Sequence, residues 1–326
     1  MKDTTIAEKL FKEGAIGEAS YQKVSASYAT RLFSVGLEVR TILYLGILLL
    51  TSGLGVLVYK NIDSIGHLAI IAFIALVSLG CFAYAYTKRM PYSNQKVISA
   101  GVLVDYVLLL GCLTFGTFMG YMQYQYSTFG PHHEIAFLIP AILFFAIAYY
   151  FDHIGILSMA ITAIAGFIGV VITPTALLSE NDFSSERIIY SGLALGIALV
   201  ATALTLNKRL IKSHFTFTYL NFAMHMLFIA CLAGLFLNRG QILFMLPLAL
   251  FVFLVIQYAY KEKSFYLLLF SLIYGYIGVT YLFFYLFLIR GNLGDSLIAL
   301  VPMYFIGSAG GAIVFLRNAN KKMRAS

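Results

Sequence analysis

Four side chains carry the clearest chemical potential of this chain: Asp105, Asn221, His225 and Gln257. Each falls inside a run of apolar residues, where an ionisable or amide group is costly and marks a candidate site. Asn221 and His225 stand one helical turn apart, on a single face. A carboxylate and an imidazole in a low-dielectric interior can exchange a proton near neutral pH, and an amide beside them can orient a small solute. The same groups can instead each satisfy a neighbouring helix through one hydrogen bond. Gln257, near the end of its run, can reach the interface. Convergence of Asp105, Asn221 and His225 on a polar cavity is the expectation that separates transport from packing.

Other constellations carry less. His132-His133-Glu134 has the residue types of a metal site, but adjacent histidines in a loop point apart and further ligands are missing, so no metal is expected there. Cys81, Cys112 and Cys231 lie in apolar runs without CxxC or His/Cys spacing and read as small core residues. Walker, GxSxG and HExxH motifs are absent, so nothing points to an enzyme or to a cofactor.

The elements that must position these residues follow from composition. With 61% hydrophobic and 11% charged residues and a mean hydropathy of +0.88, the chain cannot cover its surface with polar side chains. Its solvent is the lipid bilayer. The net charge of +8 does not point to nucleic acid, because the basic residues sit in short gaps between apolar runs instead of along one face.

Ten apolar runs are long enough to be read as spans: 41–59, 66–87, 98–121, 135–151, 154–173, 188–206, 215–237, 241–260, 265–289 and 296–316. Only Asp152-His153 separates the fourth from the fifth. Tyrosines gather at the run ends, where an aromatic belt belongs, and Trp is absent. Lys and Arg concentrate in alternate loops, at Lys88-Arg89, Lys208-Arg209-Lys212 and Lys321-Lys322-Arg324, with six more in the first 40 residues. Dropping any one span would destroy that alternation. The positive-inside rule therefore gives an all-α polytopic bundle with both termini cytoplasmic.

The domain reading is a cytoplasmic amphipathic helical segment over 1–40, a ten-span domain over 41–316 and a basic cytoplasmic tail over 317–326. In the first segment, Thr5-Ile6-Ala7-Glu8 has capping-box spacing, and Val24, Tyr28 and Leu32 stripe a second helix. These helices are the expected docking place for any protein partner. The sequence sets neither that partner nor the oligomeric state.

Within the spans, Phe137-Leu138-Ile139-Pro140-Ala141 has an echo in Phe244-Met245-Leu246-Pro247-Leu248. Gly166-Phe167-Ile168-Gly169 has one in Gly275-Tyr276-Ile277-Gly278. The expectation is a duplicated four-helix unit, 98–210 and 211–316, preceded by spans 1–2 over 41–90. An even number of spans per copy makes the copies parallel. Pro140, Pro247 and Pro302 should kink their helices, with the first two bordering a cavity. Gly116/Gly120, Gly192/Gly196 and Gly307/Gly311 offer close-packing positions.

Leu10-Phe11-Lys12-Glu13-Gly14-Ala15-Ile16, the glycines of Leu43-Tyr44-Leu45-Gly46 and Gly53-Leu54-Gly55, and the turn Asn61-Ile62-Asp63-Ser64-Ile65 together resemble a bacterial family of membrane proteins, domain of unknown function 2157. The resemblance covers roughly residues 5–90 and departs where that family carries a tryptophan. It implies a polytopic helical fold in a bacterial cytoplasmic membrane, and no site residues. Two function classes remain: permease-like transport of a small solute or proton, and a non-transporting scaffold or sensor acting through its N-terminal helices.

Overall fold

The computed structural model describes residues 11, 13–14, 16–22, 36–60, 66–99, 101–172, 186–237, 242–286 and 296–325. The capping box at Thr5, the stripe through Val24, Tyr28 and Leu32, and the Asn61–Ile65 turn lie outside these residues. The chain divides into two compact units, Met1–Asn61 and Ile62–Ser326.

The first unit contains α1 (Gly36–Lys60). Inside it the hydroxyls of Thr51 and Ser52 bond back to the carbonyls of Ile47 and Leu48 at 2.9 and 2.6 Å. They thereby hide polar atoms from an apolar surround. Farther toward the N-terminus, Phe11 and Tyr21 stack with ring centroids 4.8 Å apart.

The second unit contains α2 (His67–Thr87), α3 (Val102–Tyr126), α4 (Ile135–Phe151), α5 (Ile154–Ile172), α6 (Glu186–Arg209), α7 (Thr216–Leu237), α8 (Met245–Lys261), α9 (Phe265–Phe284) and α10 (Ser296–Ala325). Single 3-10 turns, Ser213–Phe215 and Ile242–Phe244, lead into α7 and α8. Each expected run is thus a helix. Among the described residues, 8 helices are long and apolar enough to cross a membrane, and Thr41–Leu57 and Ile135–Phe151 are shorter apolar helices. Helices suit this sequence because a helix bonds its own backbone, which lipid cannot do. Large side chains face outward, among them Leu76, Ile98, Leu243 and Ile306, the last 75% exposed. That surface is suited to lipid.

The packing falls into two cores. The first joins α2–α6 with the start of α7 through Leu108, Cys112, Phe144, Leu157, Phe215 and Tyr219. The second joins the rest of α7 to α8–α10 through Phe228, Cys231, Leu248, Leu268 and Ala319. α10 runs on through the expected basic tail because Ala319 and Met323 are buried in this second core. Lys322 extends its ammonium over the Tyr260 ring at 5.6 Å.

Glycines set the closest approaches. A Cβ on Gly111 would lie 2.9 Å from Cys81 Cβ, and Ser78 crosses the same contact to donate to the Gly111 carbonyl at 3.0 Å. α2 and α3 are locked there. A Cβ on Gly196 would lie 2.7 Å from the Leu227 side chain, which brings α6 onto α7. Gly116, Gly120, Gly307 and Gly311 make no such contact: added Cβ atoms would meet open space or, at Gly116, only the Phe144 ring at 3.8 Å. Of the three GxxxG spacings, only Gly192/Gly196 is a close helix contact.

Candidate functional site

The strongest polar arrangement lies where three loops meet at one end of the first core. α4 and α5 form a hairpin whose turn is only Asp152-His153. Asp152 takes the left-handed conformation, φ 60 and ψ 41, which stops α4. An Asp tolerates this conformation better than most side chains do. His153 then caps α5: its Nδ1 accepts the Ile156 N–H at 3.2 Å. The turn thus points the Asp152 carboxylate at the segment after α2 and at the segment before α7.

Both segments answer with donors. The Val97 N–H reaches Asp152 Oδ2 at 2.5 Å, the Lys212 ammonium reaches Oδ2 at 3.2 Å, and His214 Nε2 bonds Oδ1. The side chains of Asp152 and Lys212 are fully buried, and that of His214 is partly exposed. Lys212 also takes the left-handed conformation, sends its backbone N–H to the Asn94 carbonyl at 2.6 Å and lies 5.3 Å from the centre of the Tyr92 ring. Beside it, the hydroxyls of Tyr149 and Tyr219 meet at 3.0 Å. One carboxylate therefore ties together the 88–101 segment, the α4–α5 turn and the 210–215 segment. Removing one partner of such a buried pair costs about 3–5 kcal/mol, because the survivor is a buried, uncompensated charge.

Asp105, in the first turn of α3, is half-buried and acts electrostatically on His153. Burial holds the His153 imidazole below its ordinary range, and the Asp105 charge opposes that shift.

The other sequence candidates go elsewhere. His225 sits between two α9 hydroxyls, with Tyr274 at Nδ1 (2.9 Å) and Tyr266 at Nε2 (3.1 Å), while Phe270 packs edge-on against its ring. Both ring nitrogens are engaged, and because a tyrosine hydroxyl can donate or accept, the ring needs no further partner. Asn221 Oδ1 is buried and accepts no hydrogen bond from a described residue. Gln257 is exposed. No described contact joins Asp105 to Asn221 or His225: α3 delivers Asp105 to the α4–α5 turn, whereas α7 delivers His225 to α9. In the loop between α3 and α4, His132 pairs with Glu134 at 3.0 Å and His133 faces Gln123. The two adjacent rings thus take different partners.

Cavities between the helices have apolar walls. One of about 420 Å³ lies among α3, α4 and α5 and includes Pro140. A second of about 380 Å³ lies among α6–α9, and a third of about 520 Å³ among α8–α10. None is lined by Asp105, Asn221, His225, Gln257, Pro247 or Pro302.

Sequence reasoning missed Lys212 and His214. Lys212 reads as one more positive-inside charge after Lys208-Arg209. The available signal was its setting, Leu210-Ile211-Lys212-Ser213-His214-Phe215, where apolar neighbours flank the basic residues on both sides.

Residues 8–157 fit the model of a family described as a predicted membrane protein, domain of unknown function 2157. It is the family that the N-terminal motifs resemble, and the match runs well beyond residue 90. It takes in Asp105, Asp152 and His153 and ends before Lys212 and His214. No curated protein and no solved structure matches the chain.

Proposed function

Starting from a membrane protein whose residues 8–157 carry that family match, we propose permease-like transport of a proton, or of a small solute linked to one. The gate in this reading is the Asp152 cluster. The observation that carries it is the fully buried Asp152–Lys212 pair closed by His214 and a backbone N–H. Protonating Asp152 would remove the one anion that holds three interhelical segments, leaving Lys212 unpaired in a dry interior. A single proton would thereby bias a two-state element, which is what linked transport needs. His153 follows Asp152 in the turn and feels the charge of Asp105, and the two supply a second imidazole and carboxylate able to pass that proton on. The His225–Tyr266–Tyr274 group, whose nitrogens are both engaged, serves in this reading to clamp α7 to α9.

The proposal extends to setting. Both termini are cytoplasmic, the membrane is a bacterial cytoplasmic membrane, and the Asp152 end faces the cytoplasm with the basic loops. It also includes descent of α3–α6 and α7–α10 from one duplicated four-helix unit. In support, α4 pairs with α5 as α8 pairs with α9, and α2 pairs with α3 as α6 pairs with α7.

The alternative, a scaffold or sensor working through the N-terminal helices, draws on the exposed Phe11 stacked on Tyr21 in the segment before α1. Proteoliposomes separate the two. Full-length chain with a trapped pH-sensitive dye should show proton entry under an imposed gradient. Asp152→Asn should reduce it by at least about tenfold, a loss of about 1.4 kcal/mol of barrier lowering. Proton entry no faster than in protein-free vesicles across a panel of co-solutes would favour the scaffold.

A further inference from the structure

We propose that the cleft among α3, α4 and α5, reaching to the α3–α4 loop, forms a binding site for a single-chain amphiphile with a hydrogen-bond-accepting head, a long-chain carboxylic acid. Neither Asp152 nor its partners take part, so the site stands independently of the proton reading above.

Two adjoining cavities make the site. The apolar one of about 420 Å³ runs between Phe137, Pro140 and Phe144 of α4 and Met159 and Thr162 of α5. A second, of about 360 Å³, lies at the loop between α3 and α4 and is lined by Gln123, Tyr124, Ser127 and His133. The two share Gly120, Ala136 and Phe137, so they adjoin, a polar mouth beside an apolar throat. Ser158 and Thr162 do not break the apolar character, because their hydroxyls are turned onto the carbonyls of Ile154 and Ser158 at 3.1 and 2.9 Å. A hydrophilic solute would lose its hydration in that throat without compensation, whereas an alkyl chain would lose nothing.

The mouth is specified by Gln123, which is buried. Its Oε1 accepts the Phe129 N–H at 2.9 Å and its Nε2 donates to the Gly130 carbonyl at 3.0 Å, which fixes the orientation of the amide. The same Nε2 faces His133 Nδ1 at 2.9 Å, so Nδ1 is the acceptor and the neutral ring carries its proton on Nε2. His133 therefore brings an N–H donor to a cavity that Ser127 and Tyr124 also line. Donors at the mouth and an apolar throat behind them match a carboxylate head with one alkyl tail. Gly120 keeps the junction open: an added Cβ there meets nothing within 4 Å.

The test uses the full chain in phosphatidylcholine nanodiscs and stearic acid spin-labelled near its methyl end. The expected spectrum has an immobilised component that saturates and is displaced by unlabelled stearic acid. Gly120→Leu, which fills the junction without meeting a neighbour at Cβ, should weaken binding about tenfold, whereas Gly120→Ala should bind as the parent does. His133→Phe should weaken binding about threefold, since it removes one donor from the mouth. Thr162→Leu narrows the throat from α5 and replaces Gly120→Leu should that variant not fold. An immobilised component that does not saturate, or that spin-labelled phosphatidylcholine reproduces, is ordinary boundary lipid and overturns the proposal. Unchanged affinity in the filled-groove variants also overturns it.

Discussion

The α4–α5 and α8–α9 hairpins are built alike and used differently. In each, a residue with positive φ stops the first helix, Asp152 at 60° and Lys263 at 50°. In each, the residue after it donates its N–H back to a fully buried alanine, His153 to Ala148 and Ser264 to Ala259, both at distances near 3 Å. Each second helix is then capped by that residue's side chain, with His153 accepting from Ile156 and Ser264 from Leu267. What differs is the cover. The 88–101 and 210–215 segments close over Asp152, whereas Glu262 and Lys263 are exposed. Backbone geometry is therefore set by the hairpin, and chemistry by what is folded over it. The same left-handed position is a buried ion centre in one hairpin and a solvated lysine in the other.

Breaking the covered hairpin should produce the largest effect. Asp152→Ala leaves Lys212 buried and unpaired and should cost about 3–5 kcal/mol in a detergent-unfolding titration. The double variant Asp152→Asn/Lys212→Met should recover much of that loss. Lys263→Ala at the matching exposed position should change stability by less than about 0.5 kcal/mol. Equal losses at the two positions would erase the distinction between the hairpins.

Overpacking comes next. Gly196→Leu drives a side chain into Leu227 and should cost about 1–3 kcal/mol, while Gly307→Leu, with nothing within 4 Å of its added Cβ, should be close to neutral. A smaller step is expected at the neutral cluster of the second core. Tyr274→Phe removes one hydrogen bond to His225 and should cost about 0.6–2 kcal/mol. Ser264→Ala lies at the low end of N-cap losses, about 0.5 kcal/mol, because its bond is long at 3.5 Å.

The pH response sharpens the same contrast. Burial lowers the folded-state pKa of His153, so the unfolded turn binds the proton more readily than the folded one. The stabilising effect is complete above about pH 6.5 and is lost as pH falls below it. Amide protection factors in the α4–α5 turn, corrected for the intrinsic rate at each pH, should therefore fall on acidification, and His153→Gln should flatten the profile. The α8–α9 turn, capped by a serine, should show no such step.

Much of this fold was legible in the sequence, and for a simple reason. Apolar runs about a bilayer thick leave the backbone only helical solutions, and Asp152-His153 breaks the longest run at the turn observed. The site was less legible. Asp105 is marked by its charge in an apolar run, but its partner His153 belongs to a turn that reads as a boundary. Lys212 carries the same charge as its neighbours Lys208 and Arg209, yet they are exposed and it is buried. That difference depends on which segments pack together, and periodicity along one helix does not encode it. His225 was found and its partners were not, because only the packing of α9 against α7 brings Tyr266 and Tyr274 to it.

The most direct test of the account is hydrogen–deuterium exchange on the full chain in nanodiscs, parent against Asp152→Asn. Exchange should rise together in three segments, 88–99, 148–157 and 210–215, while 259–268 is unchanged. Exchange confined to the turn itself, or rising equally in both hairpins, would contradict the claim that one buried carboxylate holds three loops.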